Sequence, residues 1–294
     1  MAFTLRIEAK GIFGNKKIDF TKLISNCRLK YGSNNEFYIL EEERINNGTA
    51  VLYNPNRIGR GIFFNGQETD KGLIEISYNI PTTKAEITDF IEIVREIESQ
   101  LKKISMYCVE EERVYTMKEL EEQKEQMAEN SLKSLREFCR NKEYVSYILT
   151  LALWPVTLKE EDVEYFASCT NLDRFEELLH KNQAVDVYYA KPRLLKNNNT
   201  GKIGAFYVLT EECESIFPVH AEDFINLDGI KIDEGFIQFY IYSEDRIADG
   251  LFKYEKFVAY ITENRNIEYF DANHILIPSF TKTEINEIIR NIRE

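Results

Sequence analysis

Through the first eighty residues the apolar side chains fall into short runs with a spacing of two: Phe3, Leu5 and Ile7; Phe37 and Ile39; Val51 and Tyr53; Ile62 and Phe64; Ile74, Ile76 and Tyr78. Such alternation puts every second side chain on one face, a pattern that a strand can bury and a helix cannot. The breaks at residues 11–15, 32–35, 46–48 and 65–66 carry Gly or Asn, which readily adopt the positive φ that tight turns demand. A β-meander with one apolar face is therefore expected. After Pro81, Thr83 and Glu86 form a capping box, and Ile87, Phe90, Ile91, Val94, Ile97 and Leu101 recur at helical spacing. That stripe needs a sheet to lie on, so residues 1–103 read as a sheet covered by a helix.

Residues 104–184 are expected to form a helical middle segment. It opens strand-like at 104–109 and becomes Glu-rich at 110–130. Met117, Leu120, Met127, Leu135 and Phe138 make a thin apolar line there, as in a helix solvated on most faces. Residues 144–154 are apolar almost throughout, so periodicity leaves strand and helix both open, and Pro155 should end the run. Amphipathic helices are predicted around 160–167 and 172–180.

From residue 185 strands are expected at 185–190, 203–209, 236–242, 257–261 and 267–270. A closing helix follows, with Thr281 and Glu284 as its capping box and Ile285, Ile288, Ile289 and Ile292 as its stripe. Ile277-Pro278 before this helix lines up with Ile80-Pro81 before the earlier one. Either the chain is an internal repeat of two β-then-α units at 1–103 and 185–294, or two capped helices after proline coincide. The fold class is α+β, with mainly antiparallel sheets, each covered by a helix.

Charge and cysteine usage exclude several functions. Fifty acidic against 37 basic groups leave a net charge of −13, which repels phosphate backbones, and no Lys/Arg run is interleaved with aromatics. General nucleic-acid binding is not expected. The longest apolar stretch, residues 147–154, is far short of the roughly 20 that a spanning helix needs, so no membrane insertion is expected either. The first residues alternate like a strand and lack the features of a signal peptide. Five cysteines, odd in number and never spaced CxxC, suggest reduced thiols in a cytoplasm.

The segment most suited to chemistry is Tyr53-Asn54-Pro55-Asn56-Arg57-Ile58-Gly59-Arg60-Gly61-Ile62. Glycine-exposed amides and guanidinium forks are what an anion needs, so Asn54, Asn56, Arg57, Gly59, Arg60 and Gly61 form the candidate ligand-binding set for a phosphate or carboxylate. The spacing matches neither a Walker loop nor a dinucleotide fingerprint. The structural alternative is a turn at 54–57, bulges at Gly59 and Gly61, and arginines paired with glutamates such as Glu41 to Glu43. The string from Asn54 to Ile62, followed by Pro81-Thr82-Thr83 and Glu86-Ile87-Thr88-Asp89-Phe90, resembles an uncharacterised bacterial family of unknown function. That resemblance covers the first region and implies no activity.

His180, His220 and His274 lie far apart, and His220 with Glu222 and Asp223 is the nearest approach to a ligand cluster, so no metal is expected. There is no Gly-x-Ser-x-Gly elbow and no cysteine in a basic, glycine-rich setting. No catalytic residue is assigned and no cofactor is expected. Tyr188, Tyr189, Tyr240 and Tyr242 suit sheet faces or a protein contact. The favoured reading is a non-catalytic cytoplasmic binding protein recognising a macromolecular, basic partner. The alternative is a sensor or enzyme for a small phosphate or carboxylate at the 57–61 loop. Oligomeric state is not encoded legibly.

Overall fold

A computed structural model describes residues 1–9, 18–68, 72–225 and 229–293, so the turn expected at 11–15 lies outside the described residues. The chain divides into two compact units, Met1–Ala184 and Val185–Glu294. The fold class is α+β, and most strand pairs are antiparallel.

The first unit opens with β1 (Ala2–Ala9), α1 (Phe20–Cys27), β2 (Lys30–Asn34), β3 (Leu40–Glu42), β4 (Thr49–Tyr53), β5 (Ile62–Asn65) and β6 (Leu73–Asn79). Next come α2 (Lys84–Leu101), β7 (Ile104–Cys108) and β8 (Arg113–Tyr115). The strands make one eight-stranded sheet, in the order β3-β2-β4-β5-β6-β1-β7-β8. Phe3 faces Tyr78, Leu5 faces Ile76 and Ile7 faces Ile74, so the period-two residues land on one face. Onto that face α2 packs Ile87, Phe90, Ile91, Val94, Ile97 and Leu101. The Phe90 ring meets Phe3 and Tyr78 edge-on at 5.8 and 5.0 Å.

The sheet runs past residue 103, because β7 pairs with β1, with Met106 opposite Ile7 and Cys108 opposite Leu5. The helices begin after it, with α3 (Met117–Glu122) and α4 (Lys124–Arg140). The ambiguous apolar run resolves into β9 (Ile148–Thr150), a turn, and β10 (Pro155–Thr157), paired antiparallel. Pro155 therefore opens a strand rather than closing the run, consistent with a two-stranded ribbon whose edges leave an N–H unclaimed. The helices α5 (Glu160–Phe166) and α6 (Asp173–Lys181) complete the unit.

The second unit contains β11 (Tyr188–Tyr189), β12 (Arg193–Lys196), β13 (Ile203–Thr210), β14 (Ser215–Pro218), β15 (Glu234–Ile241), β16 (Arg246–Ile247) and β17 (Phe252–Lys253). It ends with α7 (Tyr254–Asn264), β18 (Glu268–Tyr269), β19 (His274–Ile277) and α8 (Lys282–Ile292). One sheet runs β11-β14-β19-β18, the other β12-β13-β15-β16 with β17 beside β15. Tyr207, Leu209, Ile237, Phe239, Phe217 and Ile275 from the strands share one core with Phe257 and Ile261 of α7 and Ile285 and Ile288 of α8.

Two expectations fail in this unit. Residues 257–261 are helical, not a strand: with Tyr254 included, Tyr254, Phe257, Val258 and Ile261 stand at i, i+3, i+4 and i+7 and are all buried. Five residues were too short a window to distinguish the periods. The repeat also fails in the topology. The strand before α2 sits between β5 and β1, the strand before α8 sits between β14 and β18, and parallel pairs join β13 to β15 and β11 to β14 in the second unit. The matching Ile-Pro-helix segments thus terminate different strand orders.

An ion-pair cluster on β15 gives a pH test. Glu234 takes Lys202 on one oxygen at 2.9 Å and Lys253 on the other at 2.6 Å, and these bonds pull its carboxyl down to about 2. A depressed carboxyl stabilises the fold above its unfolded-state value and loses that contribution as pH falls towards the folded one. Glu234→Gln should flatten the acid limb of the stability profile over that window, with a small effect at neutral pH because the cluster is exposed. Denaturation midpoints measured across the acid range check this; parallel acid limbs in both proteins would contradict it.

Among the described residues no helix is long and apolar enough to cross a membrane.

Candidate functional site

The 54–61 loop joins β4 to β5 and begins as the turn its sequence predicts. The Asn54 side chain accepts the Asn56 N–H at 3.1 Å, and the Arg57 N–H donates to the Asn54 carbonyl at 3.1 Å. Gly61 has φ +86, and a Cβ there would stand 2.5 Å from the Val51 Cγ1 atom. At Gly59 a Cβ would lie 2.7 Å from an oxygen of Glu86. Both glycines are thus required, and the reason at Gly59 is the approach of a carboxylate.

That carboxylate belongs to α2. The Thr83 hydroxyl caps the helix by accepting the Glu86 N–H, but the reciprocal half of the expected capping box is not made. Instead the Glu86 side chain accepts the Gly61 N–H at 2.5 Å and the Thr82 hydroxyl. Thr82 is held in turn by Ser131 of α4, whose Oγ accepts the Thr82 N–H at 2.5 Å and donates to the Thr82 carbonyl at 2.6 Å. Burial pushes the Glu86 carboxyl up, against the bonds from Thr82 and Gly61 and the charge of Arg60.

Both arginines are engaged by the fold. Arg60 is 8% exposed and donates to the Pro81 carbonyl at 3.0 Å, the Thr150 carbonyl at 3.1 Å and the Thr150 hydroxyl at 3.3 Å. Burial draws its guanidinium down to about 10, with Glu86 opposing. Arg57 donates to Asp89 at 2.6 Å, and Asn54 donates to the same oxygen at 3.2 Å. The loop backbone is also tied down: Gln183 donates to the Gly59 carbonyl at 2.8 Å, and the Ile58 N–H donates to Nδ1 of His180 at 3.1 Å.

The six candidate residues therefore share one loop, yet only Asn56 is exposed and the two guanidinium groups serve different partners. Of the glutamates proposed as partners, Glu41 pairs with Arg44 and Glu42 accepts from the Tyr53 hydroxyl at 2.7 Å. The actual counter-charges, Glu86 and Asp89, stand three residues apart on the buried face of α2. Two carboxylates within an apolar stripe are the signal that could have found them, since acidic residues are rarely buried without partners.

A second polar centre lies in the other unit, and sequence reading missed it. The Asp271 carboxylate accepts the N–H groups of Asn273 and His274, each at 2.8 Å, and lies 2.9 Å from Nδ1 of His274. Nε2 of His274 lies 2.9 Å from the Tyr189 hydroxyl. The order carboxylate, imidazole, hydroxyl is that of a proton relay. All three residues are buried, however, so the chain acts as a tie between β11 and β19. Burial pushes the Asp223 carboxyl up in the same unit. Among the described residues no group of His, Cys, Asp and Glu is arranged to hold a metal ion.

No curated protein and no solved structure matches the chain. A family model described as a domain of unknown function (DUF4299) matches residues 2–288, well beyond the first region in which the sequence resemblance was read. The chain accordingly belongs to the DUF4299 family.

Proposed function

We propose that this protein is a non-catalytic binding protein of the bacterial cytoplasm, and that its partner is a basic protein. The observation that carries this reading is an acidic patch with an aromatic centre on α5 and α6. Glu160, Glu161 and Glu164 on α5 and Asp173 and Glu177 on α6 are exposed, and the Tyr165 ring among them is 41% exposed. Arg174 ties the two helices together from the surface, donating to Asp162 at 2.8 Å with its guanidinium 4.2 Å from the Tyr165 ring centre. Beneath, Phe166 packs on Phe175 at 5.5 Å. Exposed carboxylates on both helices, with a half-exposed tyrosine on the same pair, suit a Lys/Arg-bearing surface, the charge setting the rate of encounter and the ring adding contact area.

The test is capture of a Lys/Arg-rich protein from bacterial lysate on the immobilised chain. Capture should weaken as salt shortens the Debye length. It should fall about tenfold or more with Glu160→Lys, Glu164→Lys and Asp173→Lys combined, a loss worth about 1.4 kcal/mol. Capture indifferent to salt and to these charges, or no capture at low salt, overturns the reading.

A second reading keeps a small phosphate or carboxylate at Arg57, as a sensor or enzyme site. It rests on the Arg57 side chain being 37% exposed with no acceptor for its Nε–H among the described residues. Inorganic phosphate should then raise the melting temperature of the wild type and not of Arg57→Ala. Equal shifts in the two proteins remove the loop as a ligand site.

A further inference from the structure

The sheet face turned away from α2 carries a groove that the acidic-patch reading does not use. On β4, β5 and β6 the residues alternating with the core form two cross-strand rows. Val51 faces Phe63 and Phe63 faces Ser77, while Thr49 faces Asn65 and Asn65 faces Glu75. Asn34, two residues beyond Gly32 on β2, projects to the same face, since Gly32 faces Val51. One row is thus apolar at its centre and the other is polar along its length. Together with Ser33 and Asn46 these residues line a cavity of about 250 Å³.

The lining chemistry narrows the ligand. Glu75 is the one charged lining residue, and its carboxylate is already paired with Arg6 at 2.9 Å. An anion finds no cation in the groove, and a cation finds only a neutralised acid. What remains is a set of side-chain amides and hydroxyls around the Phe63 ring. The amide of Asn34 is the informative one: its Oδ1 atom is buried and accepts no hydrogen bond from any described residue. A buried unpaired acceptor costs about 1–3 kcal/mol, so it is a liability unless a donor arrives from outside the chain.

The geometry points to this groove, with Asn34 and Asn65 beside the Phe63 ring on the open face of the sheet, as a binding site for a neutral sugar ring. The Asn34 amide presents a donor and an acceptor side by side, which matches adjacent ring hydroxyls; Asn65, whose Oδ1 already accepts the Gln67 N–H at 3.1 Å, offers its NH2 donor, and the aromatic face receives the C–H side of the sugar. The cavity lies just below the range of about 300–1,000 Å³ typical of drug-sized ligands, so it holds one ring rather than a chain of them.

The experiment titrates the full chain with neutral monosaccharides (glucose, galactose, N-acetylglucosamine and ribose) and follows backbone amide shifts. At least one sugar should produce saturable shifts centred on Asn34, Thr49, Phe63 and Asn65. Asn34→Leu removes the unpaired acceptor, so it should melt at or above the wild-type temperature while weakening that sugar about tenfold or more. Phe63→Ala should weaken it as well, in a chain whose far-UV spectrum is unchanged. The assignment is overturned if no sugar gives a saturable shift, if shifts persist undiminished in both variants, or if Asn34→Leu lowers the melting temperature and so marks Asn34 as structural. Inorganic phosphate perturbing the same amides more strongly than any sugar overturns it too.

Discussion

Arg60→Met should lower the stability of the first unit by about 3–5 kcal/mol, the cost expected when one partner of a buried charge pair is removed. Methionine keeps much of the apolar stem, so the loss isolates the guanidinium. Its three acceptors, the Pro81 and Thr150 carbonyls and the Thr150 hydroxyl, lose their donor. Glu86, 4% exposed, loses the charge that offsets its burial. Arg60→Lys should recover little, because one ammonium cannot replace a planar fork that reaches three acceptors.

The sign with pH follows from Glu86. Its carboxyl already lies above the usual range because of burial, so the folded state favours the protonated form. Removing Arg60 strengthens that preference. The variant should therefore regain part of its deficit as pH falls through the raised Glu86 value, and Arg60→Met with Glu86→Gln should be more stable than Arg60→Met alone. Urea denaturation at neutral and acid pH measures both. A deficit under 1 kcal/mol, or one unchanged by acid and by the second substitution, contradicts the assignment of Arg60 and Glu86 as a buried pair.

Asp271→Ala is the second large effect, placed in the other unit. Its carboxylate serves two backbone N–H groups and faces the imidazole of His274, all out of solvent. Alanine leaves those groups unpaired, and at about 1–3 kcal/mol for each unsatisfied buried group the loss should come to roughly 3–5 kcal/mol. Asp271→Asn should cost less than half of that, since the amide oxygen can still accept from the backbone. A loss as large for asparagine as for alanine would show that the charge, not the hydrogen bonding, holds the tie. A loss near zero for alanine would mean that the buried chain from Asp271 to Tyr189 contributes nothing net.

Much of the first unit was legible because its signals are local. Phe3, Leu5 and Ile7 must share a face whatever they pair with, and the α2 stripe must be buried on something. The cap at Thr281 was legible for the same reason, and there the box closes fully, with Glu284 reaching back to the Thr281 N–H. At Thr83 the identical motif closes only by half, because Glu86 has a stronger claim from Gly61 and Thr82. The turn at 54–57 was legible in the loop, but the glutamates offered as structural partners of its arginines are not the ones that meet them. Asp89 lies 32 positions from Arg57 and Thr150 lies 90 from Arg60, and proximity in sequence carries no information at that range.

What the amino-acid order settled by itself was periodicity: which residues face a core, where helices are capped, and that two glycines punctuate one arginine-bearing loop. Those properties depend on neighbours within a turn or a strand. Only the tertiary structure decided what each polar group meets. It placed β7 beside β1, gave the two Ile-Pro-helix segments different strand orders, and brought Asn34 of β2 to the same groove as Phe63 and Asn65 of β5. The physical reason is that pairing across a sheet and burial of a charge depend on groups brought together by chain closure, so the roles of Arg60, Glu86 and Asn34 exist only once the distant partners have arrived.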